Sequence, residues 1–129
     1  MEELQKLNRE LSEDFPILYS TNYRTDVVMS RKMGYPYIGW IKPIREISEV
    51  LESYNKQNVD APIIATQVKE KFGGLRFYTS PSPPDDIQAY VTKKELECEH
   101  ICMSCSKEGT IRKRGWWRTL CDKCYLGVH

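Results

Sequence analysis

Apolar positions along this chain change their spacing several times, and each change marks an element. Leu4, Leu7 and Leu11, with Phe15 beyond, recur at three- and four-residue intervals, the spacing that places side chains on one helical face. It predicts an amphipathic helix over residues 2–14, ended at Phe15-Pro16 because the residue before a proline avoids the helical region. Residues 17–41 have no clear period; DVVMS (Asp26–Ser30) reads as a short strand and GYPYIGW (Gly34–Trp40) as extended loop. After Pro43, which suits a first helical turn, Ile44, Ile47, Val50, Leu51 and Tyr54 form one stripe, with Glu46, Glu49 and Glu52 on the other faces. That is the clearest helical pattern in the chain, and Asn58–Pro62 connects it to the next element.

The period then shortens. PIIATQVKEKFGGLRFYTS places β-branched and aromatic residues on both sides of Phe72-Gly73-Gly74, which predicts two strands joined as a hairpin. PSPPDD breaks the chain, and Asp85 or Asp86 is suited to cap a further helix. Ile87, Tyr90, Val91, Cys98 and Ile101 lie near one face of that helix, which runs directly into a cysteine-bearing segment. The order helix, helix, hairpin, helix, metal knuckle predicts an α+β fold: a body of amphipathic helices and a β-hairpin over residues 1–100, with a zinc-ribbon module over 101–129 packed on it.

Length and composition narrow the class. At 129 residues the chain suits one domain with a small appendage, and a chain of this mass buries about two-thirds of its unfolded surface. No apolar run approaches the roughly 18 residues of a membrane span. The N-terminus, MEELQKLNRELSED, is acidic and lacks the basic-then-apolar order of a secretory signal. A cytoplasmic location is therefore expected, and reducing conditions there turn cysteines away from disulfides and toward metal or catalytic roles. Net charge is only +1, which argues against a dedicated polyanion binder. Its distribution is uneven, however, since residues 101–129 hold six Lys+Arg against two Asp+Glu.

The cysteines lie in that basic segment, ICMSCSKEGTIRKRGWWRTLCDKC. Cys102-x2-Cys105 and Cys121-x2-Cys124 are separated by fifteen residues. Each pair forms a tight knuckle, the run between them forms a hairpin, and four thiolates close a tetrahedral structural Zn2+ site. A redox centre needs one such pair in a βαβ setting, which is missing; an iron–sulfur cluster remains the alternative occupant of four cysteines. Cys98 sits on the apolar helical stripe and reads as a small buried hydrophobe. His100 is too close to Cys102 for an easy chelate, and His129 is terminal.

Four thiolates on one divalent ion leave about −2, which nearby cations and backbone N–H groups offset. Lys107, Arg118 and Lys123 are assigned to that balance. Arg112, Lys113 and Arg114, beside a turn at Gly115, are placed to reach solvent or a partner. Trp116 and Trp117 would point to opposite faces of a strand, so either both are core or one packs inward while the other is exposed to anchor a base or a protein pocket. In KEKFGGLRFY, Lys69, Lys71 and Arg76 interleave with Phe72, Phe77 and Tyr78. That run fails the basic-Gly-aromatic order of the RNA-recognition signature, since Phe72 precedes Gly73. Basic and aromatic residues on one sheet face would suit single-stranded nucleic acid, but simple alternation, with Leu75 and Phe77 inward, Arg76 and Tyr78 outward, is the favoured reading.

No catalytic set emerges. A zinc deaminase wants His-x-Glu ahead of Pro-Cys-x-x-Cys, whereas Leu120 precedes Cys121. A closed four-thiolate site offers no open position for water, and Cys98 lacks a convincing base. No enzyme activity and no small-molecule substrate are expected.

GWIKPIREISEVLE, QVKEKFGGLRFYTS and the cysteine segment, in that order, resemble a family of small phage, prophage and bacterial proteins of uncharacterised activity. The resemblance covers roughly residues 35–125 and implies ligand roles for Cys102, Cys105, Cys121 and Cys124. Ser106 departs from it, since glycine often follows the second cysteine there, and Cys124 stands where many members carry histidine. The expected function is a non-enzymatic, zinc-binding accessory protein that binds a host or viral protein. The alternative is nucleic-acid binding through Arg112, Lys113, Arg114 and an exposed Trp116 or Trp117.

Overall fold

A computed structural model of the chain describes residues 2–20 and 38–127. The strand expected at Asp26–Ser30, the start of the Gly34–Trp40 stretch and His129 lie outside them. The order is α1 (Glu2–Asp14), a 3-10 turn at Ile38–Trp40, α2 (Ile41–Gln57), β1 (Ile64–Lys71), β2 (Gly74–Ser80) and α3 (Asp85–Glu97). A second 3-10 turn at Cys98–His100 leads to β3 (Thr110–Arg112), β4 (Arg118–Leu120) and α4 (Asp122–Leu126). These are α+β elements: helices with two separate antiparallel hairpins, β1-β2 and β3-β4.

Leu11, Phe15 and Leu18 pack into one core with Ile44, Ile47 and Leu51 of α2, Val68, Leu75 and Phe77 of the first hairpin, and Val91 of α3. The same core continues through Trp40, Cys98, Cys102, Met103 and Leu120, so no break in packing falls at residue 100. A β-bulge lies in β1 between Ala65 and Gln67. It lets both Ala65 and Val68, three apart, face the core, which plain two-residue alternation forbids.

The expected helix over 2–14 is α1, and Pro43 lies in the first turn of α2. Glu52 departs from the expected polar face and is buried. Its carboxylate accepts from the backbone N–H of Leu18 at 2.8 Å and of Ile17 at 3.1 Å. That tethers the segment after α1, whose N–H groups would otherwise be buried unpaired. Asn55 works likewise, its amide exchanging two 2.8 Å bonds with the N–H and carbonyl of Ile63. Ser48 accepts from the Tyr19 hydroxyl at 2.7 Å and donates to the Ile44 carbonyl; burial pushes the Tyr19 phenol upward.

Asp85 and Asp86 fall within the first turn of α3, with Pro84 at the cap position. There they favour the helix through its N-terminal dipole rather than through a side-chain cap. Lys94 of α3 reaches Glu46 of α2 at 3.2 Å and holds the two helices together. Glu95 accepts from the Phe77 backbone N–H at 2.8 Å and so satisfies the outer edge of β2. Burial raises the Glu95 carboxyl, partly countered by that bond.

Candidate metal centre

The first knuckle is built on close backbone approach. Cys102 N–H donates to the Lys107 carbonyl at 2.7 Å, and Ser106 N–H donates to the Cys102 carbonyl at 3.0 Å. Closing that loop puts Ser106 at φ 75°, a left-handed conformation that glycine adopts at no steric cost. This is the physical reason glycine suits the position after the second cysteine. The Ser106 hydroxyl donates to the Gly39 carbonyl at 2.9 Å, which offsets part of the strain. Gly39 N–H in turn donates to the Met103 carbonyl at 2.8 Å. A Cβ on Gly39 would lie 2.0 Å from the Cys102 carbonyl oxygen, so only glycine fits there. Trp40, fully buried beside it, donates from Nε1 to the Ile101 carbonyl at 2.8 Å. The turn before α2 thus holds the knuckle from below, a contact the periodicity of GYPYIGW did not signal.

The second knuckle starts where β4 ends. Cys121 occupies the N-cap of α4, and its Sγ accepts from the Cys124 backbone N–H at 3.5 Å. That donor lowers the Cys121 thiol to about 7, whereas desolvation and the neighbouring sulfurs push Cys124 up to about 12. Met103 N–H donates to the Thr119 carbonyl at 2.9 Å and ties the two knuckles together.

The four sulfurs of Cys102, Cys105, Cys121 and Cys124 lie within 4.8 Å of one another. Cys105 and Cys121 are 3.6 Å apart, too far for a disulfide at about 2.0 Å. Tetrahedral zinc with bonds of about 2.3 Å requires sulfurs about 3.8 Å apart. Donor type, number and spacing therefore suit a thiophilic metal ion. Cys102 is fully buried, Cys121 and Cys124 are half-buried and Cys105 is exposed, so the cluster lies at the surface with one wall in the core.

Cys98 lies outside the cluster, buried, its thiol pushed up to about 12 by desolvation and then by neighbouring glutamates. His100 also lies outside it and contributes its carbonyl, which accepts from Gly109 N–H at 2.9 Å. Of the cations assigned to charge balance, Lys107 acts through its backbone, whose N–H donates to Cys105 and whose carbonyl pairs with Cys102.

Arg112 departs from the expected solvent-facing position. Its guanidinium bonds the Leu120 carbonyl at 3.0 and 3.1 Å and Asp122 at 2.8 Å, and it lies 4.5 Å over the Tyr125 ring. It fastens β4 to α4. Lys113 and Arg114 are exposed, as expected.

Neither Trp116 nor Trp117 is core. Trp116 is 68% exposed and Trp117 38% exposed. Both follow β3 outside a strand, so the alternation expected of strand neighbours does not apply. Trp117 packs edge-on against Phe72, ring centroids 6.1 Å apart, with Lys113 Nζ 4.9 Å over its ring. Phe72 is the tip of the β1-β2 hairpin. Within Phe72-Gly73-Gly74 the two-residue turn is Phe72-Gly73, with φ 54° and 81°, the signs of a type I′ turn. Gly73 is buried against β3 and β4: Thr119 Oγ1 donates to its carbonyl at 2.6 Å, and its N–H donates to Glu70 at 2.6 Å.

Leu75 and Phe77 face inward and Tyr78 outward, as alternation predicts. The outer face of this hairpin carries Lys69 directly opposite Arg76, with Lys71 and Tyr78 alongside. Phe72 supplies what the sequence pattern of that cluster did not reveal, because only docking of the two hairpins brings it beside Trp117. No helix among the described residues is long and apolar enough to cross a membrane. Comparison with protein-family models, with curated proteins and with solved structures returns no match.

Proposed function

We propose that the protein is a non-enzymatic binding protein whose four-cysteine cluster holds one structural Zn2+ and whose working surface lies where the two hairpins meet. The observation that carries this reading is the Thr119–Gly73 bond of 2.6 Å, with the Phe72–Trp117 contact outside it. Through that bond the strand leading into Cys121 supports the tip of a hairpin 46 residues away in sequence, leaving large aromatic rings in solvent. Exposed aromatic side chains held rigidly are recognition anchors. Four sulfur donors fill zinc's tetrahedron, which leaves the ion a folding role and no position for substrate water. A reducing cytoplasm keeps such thiols available for metal. A phage- or prophage-type accessory protein acting on a host or viral macromolecule is consistent with the resemblance carried by the three sequence segments.

Two measurements test the reading. Elemental analysis of the purified chain should find one zinc per molecule, and chelation should lower its unfolding temperature; an iron chromophore, or full stability after chelation, overturns the structural-zinc assignment. Affinity capture from a bacterial lysate should recover an identified partner that the Lys113→Glu/Trp117→Ala variant fails to retain. Equal recovery by the variant refutes the proposed surface.

A further inference from the structure

The exposed surface between the hairpins has a composition that selects among partners. Phe72, 65% exposed, meets Trp117 where the hairpins dock, and Tyr78, 41% exposed, lies farther along the outer face of β2. Each ring has its own lysine: Lys71 Nζ lies 5.8 Å from the Phe72 centroid, Lys69 5.9 Å from Tyr78, and Lys113 4.9 Å from Trp117. Among the described residues none of these lysines pairs with a carboxylate. The nearest acid of β1, Glu70, is turned inward onto Gly73 N–H. Lys69 also stands directly opposite Arg76 in the strand register, and Arg76 is itself balanced by Glu95 of α3.

Protein interfaces are depleted in lysine at their centre, whereas this surface alternates lysine and aromatic ring. That alternation suits a polymer carrying flat bases and regularly spaced negative charge. Resting on the reading that the protein acts by binding through this surface, we infer that it is a site for single-stranded nucleic acid. Phe72, Tyr78 and Trp117 stack on unpaired bases, and Lys69, Lys71 and Lys113 neutralise the phosphates. A duplex hides its base faces and would engage the lysines alone.

The test is fluorescence anisotropy of labelled mixed-sequence DNA and RNA 20-mers, single-stranded and duplex, with the zinc-loaded full chain. Single strands should bind at low salt and lose about a hundredfold in affinity over a tenfold rise in salt, at roughly −0.7 per phosphate for three phosphates. Trp117→Ala and Phe72→Ala should each weaken binding by about 5- to 100-fold, and Lys69→Glu should flatten the salt slope by roughly 0.7. Lys56→Glu, exposed at the end of α2, should change neither. Thermal unfolding of each variant confirms that it is folded. A preference for RNA or DNA identifies the source of the strand; either supports the inference.

Absence of single-strand binding at low salt overturns the inference, as does duplex binding of equal affinity or binding indifferent to Trp117→Ala and Lys69→Glu. If oligonucleotides fail while Lys113→Glu/Trp117→Ala still abolishes capture of an identified protein after nuclease treatment, the surface stands and only its partner class falls. If that variant changes neither assay, surface and inference fall together.

Discussion

Replacing Thr119 by valine tests whether the four-cysteine ribbon and the body hairpin form one cooperative unit. The side chain is fully buried and its hydroxyl donates to the Gly73 carbonyl at 2.6 Å. Valine keeps the shape, removes the donor and leaves a buried carbonyl without it, a loss of about 1–3 kcal/mol. The methyl that replaces the hydroxyl returns up to about 0.8 kcal/mol of apolar burial. The net destabilisation expected is therefore about 1–2 kcal/mol. In a chain of this length about 1 kcal/mol moves the midpoint by roughly 3–5 °C, so thermal unfolding should shift down by about 3–10 °C. Thr119→Ser separates the two contributions, since it keeps the donor and gives up one methyl. Hydrogen exchange read by NMR should show amides of the Phe72-Gly73 tip opening faster in the valine variant than in the serine variant. A valine variant within about 0.5 kcal/mol of the parent, the range of an ordinary surface change, refutes the coupling. So does a serine variant whose tip opens faster than that of the valine variant.

Three further outcomes are expected from the same geometry. Glu52→Ala should cost about 3 kcal/mol or more in urea unfolding, because two buried backbone N–H groups lose a charged acceptor; Glu52→Gln, which keeps one acceptor oxygen, should cost less. Gly39→Ala should abolish or severely weaken folding and metal binding by the four cysteines, since its Cβ would meet the Cys102 carbonyl at 2.0 Å. Gly115→Ala, at φ 63° in open space, should cost only about 1–2 kcal/mol in thermal unfolding. Cys98 should resist iodoacetamide at pH 8 in the native protein and react on denaturation. Its thiol is raised to about 12 by burial, so it stays protonated well above that pH; prompt native labelling of Cys98 contradicts this.

The four-cysteine cluster was legible because its chemistry is local. Cys-x-x-Cys forces two sulfurs to one side of a tight turn, and repeating it makes the donor set visible without a fold. The helices were legible for a similar reason: Leu7 and Leu11, or Ile44, Ile47 and Leu51, reach one core through helical spacing alone. Glu52 was misread because periodicity registers a carboxylate as polar and cannot register that Ile17 and Leu18 bring N–H groups to it. Arg112 was misread similarly: a cation in a basic run looks solvent-facing until the Leu120 carbonyl and Asp122 close around it. Gly39 carried no usable signal, since the need for a missing Cβ arises from Cys102, 63 positions later.

The linear order of residues thus determined the α+β elements and the four sulfur donors, because helical spacing and knuckle spacing act over a few residues. Tertiary structure alone decided which residues share a surface. Phe72 and Trp117 are 45 positions apart, and they meet because the Phe72-Gly73 turn docks its backbone on Thr119. No short-range pattern encodes that meeting, since it depends on how two separately formed hairpins pack.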